Sequence, residues 1–280
     1  MPTTSRPEPE PQALDAARLL RLLSASRQLA TRVEVLAQCV STNDHAREAG
    51  AAGEHLPGTL FSAEEQQGGR GRRSRDWWSG PEEQNLALTL IAEEGVVEAP
   101  VFGLLSAVAL ADVLESWPGQ KKSVALKWPN DLLLDGAKVA GFLGELMTGR
   151  EGQAGCLMLG LGINLRAAPP AQIAPYRTTS LHVALEQGTP APDRTLFLAQ
   201  WLWQLERRLR QFQCAGPEAF EQRFLTLLRR WAPHGIHEEH SDVRGPLLEF
   251  SLADGLLWGP DSAPIRRPLS WLTSLHALTR

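Results

Sequence analysis

Cysteine is scarce and unpaired. Cys39, Cys156 and Cys214 are odd in number and far apart, which excludes a disulfide framework and suggests buried free thiols in a reducing compartment. No apolar run approaches the ~20 residues of a bilayer span, and no secretory signal precedes the first helical pattern. No membrane attachment is therefore expected, and a cytoplasmic location is the default. A basic excess is also missing: 28 Lys and Arg stand against 32 Asp and Glu, for a net charge of −4. A dedicated DNA or RNA binder would carry a basic face over a whole domain, so that class is disfavoured. There is no Walker phosphate loop and no Gly-x-Ser-x-Gly nucleophile elbow.

What the 280 residues do contain is concentrated at Ser62–Trp78, Ser-Ala-Glu-Glu-Gln-Gln-Gly-Gly-Arg-Gly-Arg-Arg-Ser-Arg-Asp-Trp-Trp. Gly68, Gly69 and Gly71 break regular structure and offer positive φ or a close approach to a ligand. Arg70, Arg72, Arg73 and Arg75 crowd one short loop, where their mutual repulsion calls for an anion. Trp77 and Trp78 follow with flat faces for a planar base. The stretch reads as a mobile flap over a nucleotide-like anion, against the blander alternative of a solvated charge run.

Along the chain, residues 1–12 read as a disordered tail and Ala13–Ala30 as an amphipathic helix. Val33–Val40 reads as a strand, followed by Ser41-Thr42-Asn43-Asp44, close to a capping pattern for a helix through Ala49. Gly58–Ala63 and Asn85–Ile91 are expected strands on either side of the flap, and Val101–Trp117 a buried helix ending at Pro118-Gly119. Val124–Trp128, Asp131–Leu134, an Asp135-Gly136 turn, Lys138–Met147 and Cys156–Leu165 continue the strand pattern. Helices are expected at Arg194–Phe212 and Pro217–Trp231. This order is α+β with a mainly antiparallel sheet flanked by helices, over residues 13–232. A small β module should occupy residues 233–280, with strands at Leu247–Leu252, Gly255–Gly259 and Pro264–Leu269, and should need docking on the main body for stability.

Lys127, in Leu126-Lys127-Trp128-Pro129-Asn130-Asp131, is flanked by apolar strand residues and is costly to bury without an anion. It reads either as a strand-end surface lysine or as a second cation sharing the flap's anion. Ala140 and Gly141, after Lys138 and Val139, offer a wall against which something flat packs, or a bulge. Gly160 and Gly162 allow close approach of a ligand or a second backbone, and Asn164 places an amide at the strand end able to read a base edge. His234, His237 and His240, with Glu238 and Glu239, lack the zincin spacing and read as a solvated linker; no protein metal site is expected.

Five stretches in this order resemble the biotin protein ligases, the biotin–[acetyl-CoA carboxylase] ligases. They are Ser41-Thr42-Asn43, Gln66–Arg73, Lys127–Asp131, Lys138–Gly141 and Gly160–Asn164. The resemblance implies the fold shared with class II aminoacyl-tRNA synthetases, with a small C-terminal β-barrel. It implies that Ser41, Thr42, Asn43 and Gln66 line a biotin pocket. Gly69, Arg70, Gly71, Arg72, Arg73 and Arg75 would belong to a loop that orders over biotin and its adenylate. Lys127 would contact the biotin carboxylate and α-phosphate, with Arg72 sharing the catalytic work. Trp77 would cover the adenine, Asn164 read its edge, and Gly141 and Gly160 sit in the binding wall. Ser74 stands where the family has a glycine, implying a stiffer loop, and the C-terminal module looks shortened.

By the same resemblance the substrates are biotin and ATP with Mg2+, and the acceptor is the biotin carboxyl carrier protein of acetyl-CoA carboxylase. With no winged helix-turn-helix pattern in front of the core, a ligase that is not also a repressor is expected, with no DNA partner, as a monomer or homodimer. The competing readings are a lipoate or octanoyl ligase on the same fold, a non-catalytic biotin or nucleotide sensor, and a nucleic-acid binder using the arginine loop.

Overall fold

Strand patterns crowd the chain before residue 165 and long helical patterns follow, and the structure sorts them into a sheet with helices packed on both faces. The computed structural model describes residues 12–23, 29–54, 56–148, 155–239, 241–272 and 274–279. The expected N-terminal tail lies almost wholly outside the described residues. In chain order come α1 (Ala16–Leu22), β1 (Arg32–Cys39), α2 (Thr42–Ala51), β2 (Thr59–Gln66), β3 (Leu86–Glu93) and α3 (Ala99–Ser116). Then follow β4 (Val124–Lys127), β5 (Asp131–Leu134), β6 (Ala137–Met147), β7 (Cys156–Ile163), α4 (Leu181–Ala184), α5 (Arg194–Ala215) and α6 (Glu218–Trp231). The C-terminal part holds β8 (Ile236–Glu238), β9 (Arg244–Gly245), β10 (Leu247–Ser251), β11 (Gly255–Trp258), β12 (Ile265–Arg267) and β13 (Leu275–Ala277).

The main sheet has seven strands in the order β1-β2-β3-β7-β6-β5-β4. Every neighbouring pair is antiparallel except β1 and β2, which run parallel because α2 carries the chain back across the sheet. The sheet is thus mixed, although antiparallel pairing dominates as expected. Asp135 (φ 45°) and Gly136 (φ 77°) form the tight turn between β5 and β6 that the Asp-Gly pair predicts.

α3 is apolar on nearly all sides because it is buried on nearly all sides: residues from Val101 to Leu114 lie in the core. Its 18 residues, with mean hydropathy 1.5, are long and apolar enough to cross a membrane by composition, but two thirds of them (67%) are buried inside the fold. α5 packs on it, with Trp117 and Phe197 rings 5.0 Å apart and the Trp201 indole N–H donating to the Ser106 carbonyl at 3.3 Å. α1 is shorter than the predicted Ala13–Ala30; residues 24–28 of that stretch lie outside the described residues, and Leu29 and Ala30 are not helical.

The C-terminal residues do not close into a barrel. They form two three-stranded sheets, β10-β11-β12 and β13-β8-β9. The segment read as a solvated linker contains β8 instead, and Glu238 within it is buried; His240 is outside the described residues. The module docks through α6: Phe224 and Phe250 rings sit 4.4 Å apart, and Arg229 donates to the Leu247 and Leu248 carbonyls at 2.9 Å. The Trp128 indole N–H donates to the Leu272 carbonyl at 3.0 Å, so the tryptophan beside Lys127 fastens the module and does not face a ligand.

A buried ion pair ties the N-terminal segment to the sheet. Arg194, at the start of α5, pairs with Glu64 of β2, with side chains only 2% and 6% exposed. Glu64 also accepts from the Leu14 amide at 2.8 Å, and Arg194 donates to the Asn85 carbonyl at 2.8 Å. Asn85 in turn accepts from the amides of Leu165, Arg166 and Ala167. The three cysteines are free, but only Cys156 is buried; Cys39 is partly buried and Cys214 exposed, which corrects the expectation of three buried thiols.

Two outcomes follow. Glu64→Ala leaves Arg194 charged and unpaired in the interior, so chemical denaturation should show a loss of about 3–5 kcal/mol; a change below about 1 kcal/mol would contradict the anchoring role. Burial pushes the Cys39 thiol up to about 11. Thiol-reactive dye at pH 8 should therefore label Cys214 and spare Cys39, which should become reactive only as the pH approaches 11.

Candidate functional site

The sheet face between β6 and β7 is bare of side chains where it matters. Gly141 and Gly162 are directly paired across these strands, and Gly160 lies two residues along on the same face. A Cβ at Gly162 would overlap the Trp77 indole, and one at Gly160 would lie 2.6 Å from the Asn43 amide oxygen. At Gly141 it would press on Lys138 and Asp131. The glycines thus make room for side chains from α2, the arginine loop and β5–β6. Over Gly160 and Gly162 the nearest neighbours are the Asn43 and Trp77 side chains, and both glycines still line the cavity described below.

The arginine loop is a tight hairpin. Gly71 donates to the Arg75 carbonyl at 2.7 Å, Trp77 donates to the Gly69 carbonyl at 2.8 Å, and Arg70 bridges Asp76 in antiparallel fashion. None of Gly68, Gly69 and Gly71 takes positive φ; Arg73 does, at 56°. Gly69 is needed for space, since a Cβ there would lie 2.6 Å from the Trp77 carbonyl. Arg70 pairs with Asp44 on α2, which also holds Arg47 at 2.6 Å. Arg72 remains exposed as a residue, while desolvation of its guanidinium, followed by the neighbouring Arg73 charge, lowers its pKa from the ordinary value; Asp131 opposes the shift. Arginine stays charged at neutral pH all the same.

At the start of α2, Ser41 is the N-cap residue but makes no side-chain cap bond, so the predicted capping pattern is not formed. Polar side chains from other strands fix this turn. Gln66 accepts from the Thr42 amide at 2.8 Å and donates to the Ser79 hydroxyl at 2.8 Å. The Thr89 hydroxyl donates to Thr42 at 2.9 Å or to the Asn43 amide oxygen, while Asn43 donates to Glu145 at 2.7 Å. Ser41, Thr42, Asn43 and Thr89 are all buried, so these groups are held in place before any ligand arrives.

Three adjoining cavities result. The first, about 100 Å³, is lined by Ser41, Thr42, Asn43, Gln66, Arg70, Gly71, Arg72, Arg75, Trp77, Gly141 and Gly160, together with Asp131, Lys138 and Tyr176. Organic ligands occupy pockets of about 300–1,000 Å³, so the hairpin or the Trp77 indole must shift to admit one. The second cavity, beyond Trp77, contains Gly69 and Asn164 and shares Gln66, Trp77, Lys138 and Tyr176 with the first. Asn164 donates to the Thr179 carbonyl at 3.1 Å, which commits the donor half of its amide; its buried Oδ1 has no partner. The third cavity contains Lys127 and shares Asp131, Lys138 and Tyr176 with the first. Lys127 is therefore next door to Arg72 and not in the same cavity, and Arg73 lines none of the three.

Lys138 stands where all three cavities meet. Its ammonium is 2.7 Å from Asp131, 5.4 Å from the centre of the Trp77 ring and 5.3 Å from that of Tyr176. Sequence reasoning passed over it, although Ala137 and Val139 flank it just as apolar residues flank Lys127. Tyr176, from the loop after β7, carried no sequence signal. Among the described residues no group of three or more His, Cys, Asp or Glu is placed to hold a metal ion.

Residues 36–164 match the family model described as the biotin/lipoate A/B protein ligase family. The chain is 33% identical over 205 residues to the biotin–[acetyl-CoA-carboxylase] ligase of Mycobacterium tuberculosis, covering 70% of this chain and 72% of that one. It is 35% identical over 227 residues to the bifunctional ligase/repressor BirA of Escherichia coli, covering 80% of this chain and 64% of the relative. The structure of the Aquifex aeolicus biotin protein ligase, in complex with biotin and ATP, superposes with a TM-score of 0.72 at 24% identity. That match covers 89% of this chain and 100% of the other, and shows a common fold. The fold, the order of the motifs and the extent of the mycobacterial match together establish that this chain belongs to the biotin/lipoate A/B protein ligase family.

Proposed function

We propose that this chain activates biotin with ATP as biotinoyl-5′-AMP and passes the biotinyl group to a lysine of a biotin carboxyl carrier protein. The observation that carries the reading is the cationic hairpin of Arg70, Arg72 and Arg75 over the glycine floor, with a second cavity continuing past Trp77 to the free amide oxygen of Asn164. A carboxylic acid in the first cavity and a purine in the second would meet near Lys138. The ordered groups of Ser41, Thr42, Asn43 and Gln66 are assigned to the biotin end, and Asn164 Oδ1 to accepting from an exocyclic amine.

In the first step a carboxylate oxygen attacks the α-phosphorus, and the bond from that phosphorus to the bridging oxygen breaks with its electrons leaving on pyrophosphate. In the second the amine of the acceptor lysine attacks the acyl carbon, AMP leaves, and an amide forms. Both steps need anions held together against their repulsion, which is work for fixed cations. Trp77 and the hairpin, having shifted to admit the ligands and closed again over them, would keep water from the mixed anhydride. Magnesium is proposed to arrive on the nucleotide's own phosphates. Among the described residues no group of three or more His, Cys, Asp or Glu would hold it without the nucleotide. A cytoplasmic setting, where ATP and the carrier occur, belongs to the same proposal.

Calorimetry with biotin, then with biotin and ATP, followed by mass analysis of the product, tests the activity; binding of lipoate in place of biotin would move the assignment within the family. Lys127→Ala should slow biotin-dependent pyrophosphate release by more than about tenfold with melting unchanged, the scale of one charge-assisted contact. A near-normal rate would remove Lys127 from the reaction. Arg72→Gly should let biotinoyl-AMP escape and label bystander proteins, read as an adenylate off-rate raised by about tenfold or more. Unchanged retention would contradict the role of the hairpin as a lid.

A further inference from the structure

The direction of each hydrogen bond at the start of α2 follows from residue chemistry. The Glu145 carboxylate, paired with Arg47, accepts only, so the Asn43 amide turns its nitrogen toward it and donates at 2.7 Å. That leaves the Asn43 oxygen, an acceptor, facing the Thr89 hydroxyl, and the single Thr89 proton goes to it. Thr89 is fully buried and already spent as a donor, so its contact with the Thr42 hydroxyl at 2.9 Å requires Thr42 to donate. Gln66 Oε1, 3.3 Å from the same Thr42 hydroxyl, is likewise an acceptor, since Gln66 turns its nitrogen to Ser79. By either route the Thr42 proton stays inside the protein. Toward the first cavity, which Thr42 lines, its oxygen has lone pairs to offer and no proton.

We propose that Thr89 and Glu145 are positioning residues that fix Thr42 as an acceptor. The first cavity thereby selects an acid whose head group carries N–H donors, a cyclic urea, over one ending in a dithiolane or a plain alkyl chain. The proposal rests on the adenylation reading above and concerns which acid that reaction takes. Neither Thr89 nor Glu145 is among the residues lining the first cavity; Thr89 acts through Asn43 and Thr42, and Glu145 through Asn43. Thr89 stands opposite Gly160 in the β3–β7 pairing and Glu145 opposite Met158 in the β6–β7 pairing, so the proton order is held by sheet strands and not by the hairpin. A urea N–H meeting the Thr42 oxygen replaces the bond it gives up to water. A head group without a donor leaves that buried oxygen unpaired, the mismatch that polar sites reject most strongly.

The test is calorimetric titration of the full chain with biotin for the wild type, Thr89→Val and Thr89→Ser, with melting temperatures measured alongside. Valine keeps the shape of threonine and loses the hydroxyl; serine keeps the hydroxyl and leaves a methyl-sized gap. Thr89→Val should weaken biotin binding by about tenfold or more, and Thr89→Ser by less than about threefold. A packing role would give the opposite order, and that order, equal losses, or an unchanged Thr89→Val affinity would each overturn the proposal. The wild type is also titrated with lipoate and with dethiobiotin, which keeps the cyclic urea without the sulfur ring. Dethiobiotin should bind at least about tenfold more tightly than lipoate; the reverse would overturn the proposal whether or not Thr89→Val folds. A wild type that binds neither biotin nor dethiobiotin would sink the activity reading and this proposal with it. Biotin binding with an unaltered Thr89→Val affinity would sink only the proton order.

Discussion

Everything in this site depends on a patch of sheet that lacks side chains. Gly141 and Gly162 face each other across β6 and β7, with Gly160 alongside. Only because these positions end at Cα can three separate elements reach one surface: Asn43 from α2, Trp77 from the arginine hairpin, and the Lys138–Asp131 pair from β5 and β6. A methyl group at Gly160 or Gly162 would displace Asn43 or Trp77, and one at Gly141 would crowd the Lys138–Asp131 pair. The polar network at the start of α2 and the ring stacked on the floor are consequences of that bareness, since close-packed interiors transmit such displacements instead of absorbing them.

The electrostatics are equally local. A chain with net charge −4 nonetheless lines one crevice with Arg70, Arg72, Arg75, Lys127, Lys138 and Arg177. Asp44 and Asp131 hold Arg70 and Lys138, while Lys127 and Arg177 make no ion pair within 4 Å among the described residues and Arg177 acts at longer range on Asp135. Charges arranged in this way fix geometry where a partner is present and leave a demand where it is not. Asp131 is central to both effects, because it pairs with Lys138 and also opposes the lowered pKa of Arg72.

Much of this was legible in the residues themselves. The Asp135-Gly136 turn, the all-round apolar α3 and the strands at 124–147 follow from local rules, because turn chemistry and periodicity act over a few residues. Less legible were contacts between distant segments. Trp128 beside Lys127 looks like part of a ligand motif, yet its indole bonds to Leu272, far along the chain. The segment 233–240 looks like a polar linker, but β8 is built by pairing with β13 and β9, which its own sequence does not announce. Gly69 was legible as necessary, though the reason turned out to be space against the Trp77 carbonyl and not positive φ.

Sequence alone determined the inventory: a loop with four arginines, a tryptophan after it, two lysines in apolar strands, small residues in β6 and β7, and the order that identifies the family. Tertiary structure decided the arrangement. It placed Lys127 and Arg72 in neighbouring chambers, made Lys138 the meeting point, and brought in Tyr176, which no motif marks. The physical reason is that residue type fixes what chemistry a side chain can do, whereas strand register and the packing of remote loops fix which of those side chains share a space.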